Sequence, residues 1–164
     1  MSPARQSPSP SSAEEALKQR ALFLIGAIAN KLVISGSAVL RQRLGLGFTE
    51  YRIMVMLSLE PGIAAKRIGE VVGLDKAAIS RGVRALEAAG LIEPTPETAG
   101  RRSQAFRLTA EGEAVYTRAT KVGREHERLL MADLSADEQQ TLVGLLQRLH
   151  LRTADIEAFR PEAL

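Results

Sequence analysis

The sequence has 164 residues, 45% hydrophobic and 25% charged, with 4% aromatic residues, no tryptophan and no cysteine. That length holds one domain with an aliphatic core, or a small domain plus an oligomerisation element; the missing cysteines exclude disulfides, thiolate zinc sites and thiol redox sensing, and fit a reducing cytoplasm. Net charge is only +3, but residues 1–44 carry six basic and two acidic side chains, 45–109 nine and seven, and 110–164 seven and ten, so the last third is a poor surface for a polyanion.

Residues 1–12, MSPARQSPSPSS, are Ser/Pro-rich and aperiodic, and are expected to form a disordered tail. A long helix is predicted from about Ala13 to Leu44, ending at the glycines of LGLGF. Its KQRALFLIGAIAN run imitates an export signal, but Glu14 and Glu15 flank it and Asn30 and Lys31 interrupt it. A membrane span is therefore not expected, and a helix covered at a dimer interface accounts for the run. Gly26 and Gly36 each cost about 1 kcal/mol against Ala inside a helix, and close approach of another helix is the usual compensation.

Thr49 is read as the cap of a second helix, TEYRIMVMLSLE, broken by Pro61-Gly62. A short helix, AAKRIGEVV, follows to Gly73. Asp75 then caps LDKAAISRGVRALEAAGLI, which has no acid between Lys76 and Arg84. At about 100° per residue, Ile79, Val83 and Leu86 share a buried arc. Ala77, Ser80, Arg81 and Arg84 take the opposite one, with Lys76 at its margin. Small side chains let a helix approach base edges, Ala can touch a thymine methyl, Arg can fork to guanine, and Lys and Ser suit phosphates. Helix, glycine-centred turn, helix, with Gly69 at the crossing and Gly73 in the turn, is the pattern of a helix-turn-helix.

Beyond Gly90, LIEPTPETAGRRSQAFRLT predicts a β-hairpin whose tip carries Arg101 and Arg102, placed to enter a minor groove. Thr109 is expected to cap a long helix to about Met131. Ser135 and Glu138 form a capping box for a last helix with Leu142, Leu145, Leu146 and Leu149 on one side. His126 and His150 share no helical face and predict no metal site. No nucleophile has a base and an orienter, no glycine loop cradles phosphate, and neither an enzyme nor a cofactor is expected.

The stretches GFTEYRIMVML, RIGEVVGLDKAAISRGVRALEAAGLI and RRSQAFRLTAEG resemble the MarR family of winged helix-turn-helix regulators, over about Leu44 to Gly112. The resemblance implies a mainly α fold with a small β-hairpin, a winged helix-turn-helix region at 45–112 flanked by dimerisation helices at 13–44 and 113–158. It implies a cytoplasmic homodimer on a pseudo-palindromic double-stranded DNA operator, commonly a repressor released by a small, often aromatic, acid. The DNA-facing set it carries over is Lys76, Ala77, Ser80, Arg81, Arg84, Arg101 and Arg102. Three departures stand out. Ala99 and Gly100 replace the usual acid ahead of the wing arginine, leaving Glu97 nearest; Gly82 replaces a larger apolar residue; and Ala64 offers no hydroxyl cap. Arg20, Asn30, Arg41 and Arg52 are able to meet an effector carboxylate, with none singled out. Two alternatives stay open: a regulator without a small-molecule effector, and a winged-helix module that binds protein.

Overall fold

A computed structural model describes residues 15–98 and 104–159. The expected tail at 1–12 and the wing-tip residues Ala99, Gly100, Arg101 and Arg102 lie outside the described residues. The chain divides into two compact units, one ending at Arg124 and the other beginning at Glu125.

In the first unit, α1 (Ala21–Leu44) is followed by α2 (Phe48–Leu59), β1 (Ile63–Ala64), α3 (Ala65–Val72), α4 (Lys76–Ala88), β2 (Ile92–Pro94), β3 (Ala105–Leu108) and α5 (Ala110–Leu130), which runs on into the second unit. The sheet has the order β1-β3-β2 and is antiparallel throughout. Phe106 faces Ile63 on one side and Pro94 on the other. Pro94 lies on an edge strand, where a residue without an N–H interrupts no ladder.

The core joins α2, α4, α5 and the sheet through Ile53, Met54, Leu57, Ile63, Ile79, Leu86, Phe106, Val115 and Ala119, with Ile68 from α3. Each large side chain so enclosed contributes about 1.5–3 kcal/mol relative to exposure. Small residues set the approach distances. A Cβ on Gly82 would lie 2.6 Å from the Ile53 Cδ1 atom, and one on Gly36 2.8 Å from the Phe48 ring. Gly112 is tighter still: its Cβ would meet the Leu91 carbonyl oxygen at 1.9 Å. The first turn of α5 therefore rests directly on the chain entering β2. The Thr109 N–H donates to that same carbonyl at 3.1 Å.

Several expected boundaries differ. The first long helix does not run unbroken from Ala13: Gln19 turns and Arg20 is extended (φ −98°, ψ 113°), so α1 begins at Ala21. Nothing in the structure accounts for that break. Thr49 is not the cap of α2, which starts at Phe48 with Gly47 in the cap position and no side-chain cap. Docking of Phe48 against Gly36 draws it into the first turn. The hairpin also gains a third strand, β1. Asp75 does cap α4, its Oδ1 accepting the Ala78 N–H at 2.7 Å, and the Thr109 hydroxyl accepts the Gly112 N–H at 3.0 Å.

The second unit holds the end of α5, then α6 (Ala136–Leu151) and α7 (Thr153–Ala158). The capping box is present: Ser135 Oγ accepts the Glu138 N–H, and the Glu138 carboxylate accepts the Ser135 N–H at 2.8 Å. Hydrogen bonds from the Ser135 backbone and hydroxyl hold the Glu138 carboxyl below its ordinary pKa. Among the described residues of α6, none is buried.

Candidate nucleic-acid interface

Helix α4 separates its residues as the periodicity predicts. Ile79, Gly82, Val83 and Leu86 are buried, while Lys76, Ala77, Ser80, Arg81 and Arg84 are exposed together. Its back rests on α2 through Gly82 and Ile53. The turn before it is fixed by Gly73 (φ 69°), with the Gly73 and Leu74 N–H groups both returning to the Gly69 carbonyl at 2.9 and 3.1 Å. Gly69 itself sits at the crossing, where a Cβ would come 3.2 Å from the Leu74 carbonyl oxygen.

Some of the cations near this face are paired with acids. On α3, Lys66 and Arg67 lie 3.7 and 3.8 Å from Glu70, and on the wing stem Arg107 meets Glu93 at 2.7 Å. Among the described residues, no carboxylate lies within ion-pair distance of Lys76, Arg81 or Arg84. Arg84 Nε donates to the Ser80 carbonyl at 3.2 Å, laying the guanidinium along the helix. Lys76 occupies the first helical position, where the macrodipole opposes a cation by about 0.3–1 kcal/mol. An exposed cationic face without an ion-pair partner among the described residues, on a helix that would be more stable without Lys76, has the electrostatics to attract an anion.

Two contacts at the site follow from no sequence pattern. The stem of the wing is closed by threonines: the Thr95 N–H donates to the Ala105 carbonyl at 2.9 Å. The Thr98 hydroxyl accepts the Ala105 N–H at 3.0 Å and donates to the Ala105 carbonyl at 3.2 Å. A hydroxyl clasp thus closes the base of the hairpin. The second is made by Arg52, a side chain also able to meet an effector carboxylate: its Nη2 donates to the Val72 carbonyl at the end of α3.

Behind the wing stem lies an open cleft of about 700 Å³, lined in part by Leu57, Ser58, Glu93, Arg107, Glu113 and Tyr116. Among the described residues that line it, the one cation, Arg107, is held by Glu93. Among the described residues, no group of three His, Cys, Asp or Glu side chains is placed to hold a metal ion.

The MarR family model matches residues 44–103. An HTH-type transcriptional repressor of Mycobacterium tuberculosis is 30% identical over 128 residues, 78% of this chain and 89% of that protein. An HTH-type regulator of Bacillus subtilis is 26% identical over 99 residues, 60% of this chain and 66% of its own length. Among solved structures, a MarR/EmrR family regulator from Acinetobacter is 32% identical with a TM-score of 0.77, covering 85% of this chain and 98% of that one. The PcaV regulator from Streptomyces coelicolor, solved with its natural ligand, is 26% identical with a TM-score of 0.66, covering 82% and 94%. The chain belongs to the MarR family of winged helix-turn-helix transcriptional regulators.

Proposed function

We propose that this chain is a homodimeric repressor in which α4 of each subunit reads the major groove of a pseudo-palindromic operator. The observation that carries this reading is the exposed row Lys76, Ala77, Ser80, Arg81 and Arg84, backed by a buried apolar face and with no carboxylate in ion-pair distance among the described residues. Arg81 and Arg84 are the base-reading side chains, Lys76 and Ser80 take phosphate, and Ala77 permits close approach. Arg101 and Arg102 would extend the contact into the flanking minor groove. Residues 13–44 and 113–158 supply the dimerisation helices, and 45–112 the DNA-binding region.

Selection from a random duplex pool tests this. Two-fold related recognition helices require half-sites whose centres lie about 10–10.5 base pairs, or 34–36 Å, apart. The expected product is an inverted repeat with that spacing. Enrichment of no duplex, or of a single unrepeated half-site, contradicts a dimeric reader.

A small aromatic acid is the proposed releasing effector. The solved complex of PcaV with its natural ligand supports an effector, as does the family resemblance. Thermal-shift screening separates this from a regulator without one. A ligand at 100 times its Kd stabilises the folded chain by about 2.7 kcal/mol, so a hit raises the midpoint and lowers operator affinity. A panel of aromatic acids that shifts neither removes this part of the reading.

A further inference from the structure

The side chain of Arg52 leaves α2 and crosses to the last residue of α3, where it donates to the Val72 carbonyl. The last carbonyls of a helix lack intrahelical partners and carry the negative end of its dipole, so a cation there meets both needs. Gly73, in the left-handed conformation, follows immediately and begins the turn into α4. Burial lowers the Arg52 pKa from its ordinary value, so the guanidinium keeps this place against a desolvation cost. The next residue, Ile53, is the one whose Cδ1 fills the space left by Gly82 on the back of α4.

Adjacent residues of α2 therefore hold the turn and the reading helix together. The same helix is also seated on the longer ones. Phe48 lies against Gly36 of α1, and a Cβ on Gly123 of α5 would come 2.5 Å from the Tyr51 hydroxyl. Phe48 and Tyr51 touch each other, with ring centroids 6.1 Å apart.

From this arrangement we propose that Arg52 is a positioning residue for DNA reading. Its guanidinium clamps the end of α3 and so fixes the angle at which α4 presents Arg81 and Arg84. The proposal rests on the reading of α4 given above. It assigns Arg52 no contact with DNA: it acts on base selection through the turn. An arginine suits the task because its planar fork spans the gap with several donors, whereas a lysine offers one compact charge.

The test compares wild type with Arg52→Met, which keeps the apolar stem, and Arg52→Lys, which keeps the charge. Two probes are needed: the duplex selected by the wild type, and a scrambled duplex of equal length. The readout is the ratio of the two affinities, with mass and thermal midpoint measured alongside. Arg52→Met should lower that ratio about tenfold, a modest part of a usual specificity ratio, while binding to the scrambled duplex changes less than about twofold because the phosphate-facing cations remain. Arg52→Lys should recover part of the ratio. Should Arg52→Met fail to fold, Arg52→Gln carries the same comparison.

Equal losses on both duplexes would make Arg52 a direct phosphate contact and overturn the proposal. A lowered midpoint with an unchanged ratio would reduce Arg52 to a stabilising residue and overturn it as well. A wild type that prefers neither duplex is a separate failure, because it removes DNA reading by α4 itself.

Discussion

In the winged core, Ile53, Met54 and Ile68 are 0% exposed, whereas on α1 Leu22 and Ile34 stand 79% and 70% exposed, and on α6 Leu149 is 51% exposed. The residue types are alike; their surroundings are not. Around the core, glycines at 36, 82 and 112 permit contacts that a methyl group would block, while a Cβ on Gly26 of α1 or Gly144 of α6 would meet nothing within 4 Å. One region is finished within a single chain. α1 and α6, each taken by itself, carry large apolar side chains left exposed within the single chain, and the proposed dimer would cover them. Helix α1 is also long and apolar enough, at a mean hydropathy of 1.8, to cross a membrane by length and composition, with 6% of that window buried. A helix covered by a second copy has the same composition, and the proposed dimer takes that reading.

The core is most sensitive at Gly112. Replacing it with Ala places a methyl group 1.9 Å from a backbone oxygen that cannot rotate away. Overpacking of this kind costs about 1–3 kcal/mol and sometimes more, and a backbone neighbour puts Gly112→Ala at the upper end. Urea unfolding should show a midpoint far below wild type. A midpoint near wild type would mean that α5 is free to lift off Leu91, and that the core is looser than described.

A smaller effect on folding, with a large one on assembly, is expected on α1. Leu22→Glu combined with Ile34→Glu alters two well-exposed positions, and surface substitutions away from special features usually stay within about 0.5 kcal/mol. If a second copy covers this face, light scattering should show the mass falling from two chains to one, with the helical signal largely retained. A variant that remains dimeric would place the interface elsewhere and leave the exposed face of α1 without a role.

The contrast between regions also explains what could be read in advance. The division of α4 into a buried and a cationic face follows from periodicity alone, because its packing partners all lie to one side of its axis, so burial repeats with the helical period. The caps at Asp75, Thr109 and Ser135 are local hydrogen bonds between near neighbours in sequence. What escaped was set by distant packing. Phe48 overrides Thr49 as the start of α2 because it docks on Gly36. Strand β1 is two residues long and exists only because β3 lies beside it. Thr98 finds Ala105 seven residues on, and Arg52 finds Val72 twenty residues on. Neither spacing belongs to a helix or strand pattern.

The most direct test of the central claim is the discrimination of Arg81→Ala and Arg84→Ala, each measured by competition between the selected operator and a scrambled duplex at fixed salt. A base-contacting arginine should lose about 1–3 kcal/mol of discrimination, with Ser80→Ala losing less and the dimer intact. If both arginine variants discriminate as wild type does, α4 is not the reading helix, and the account built on its exposed cationic face is wrong.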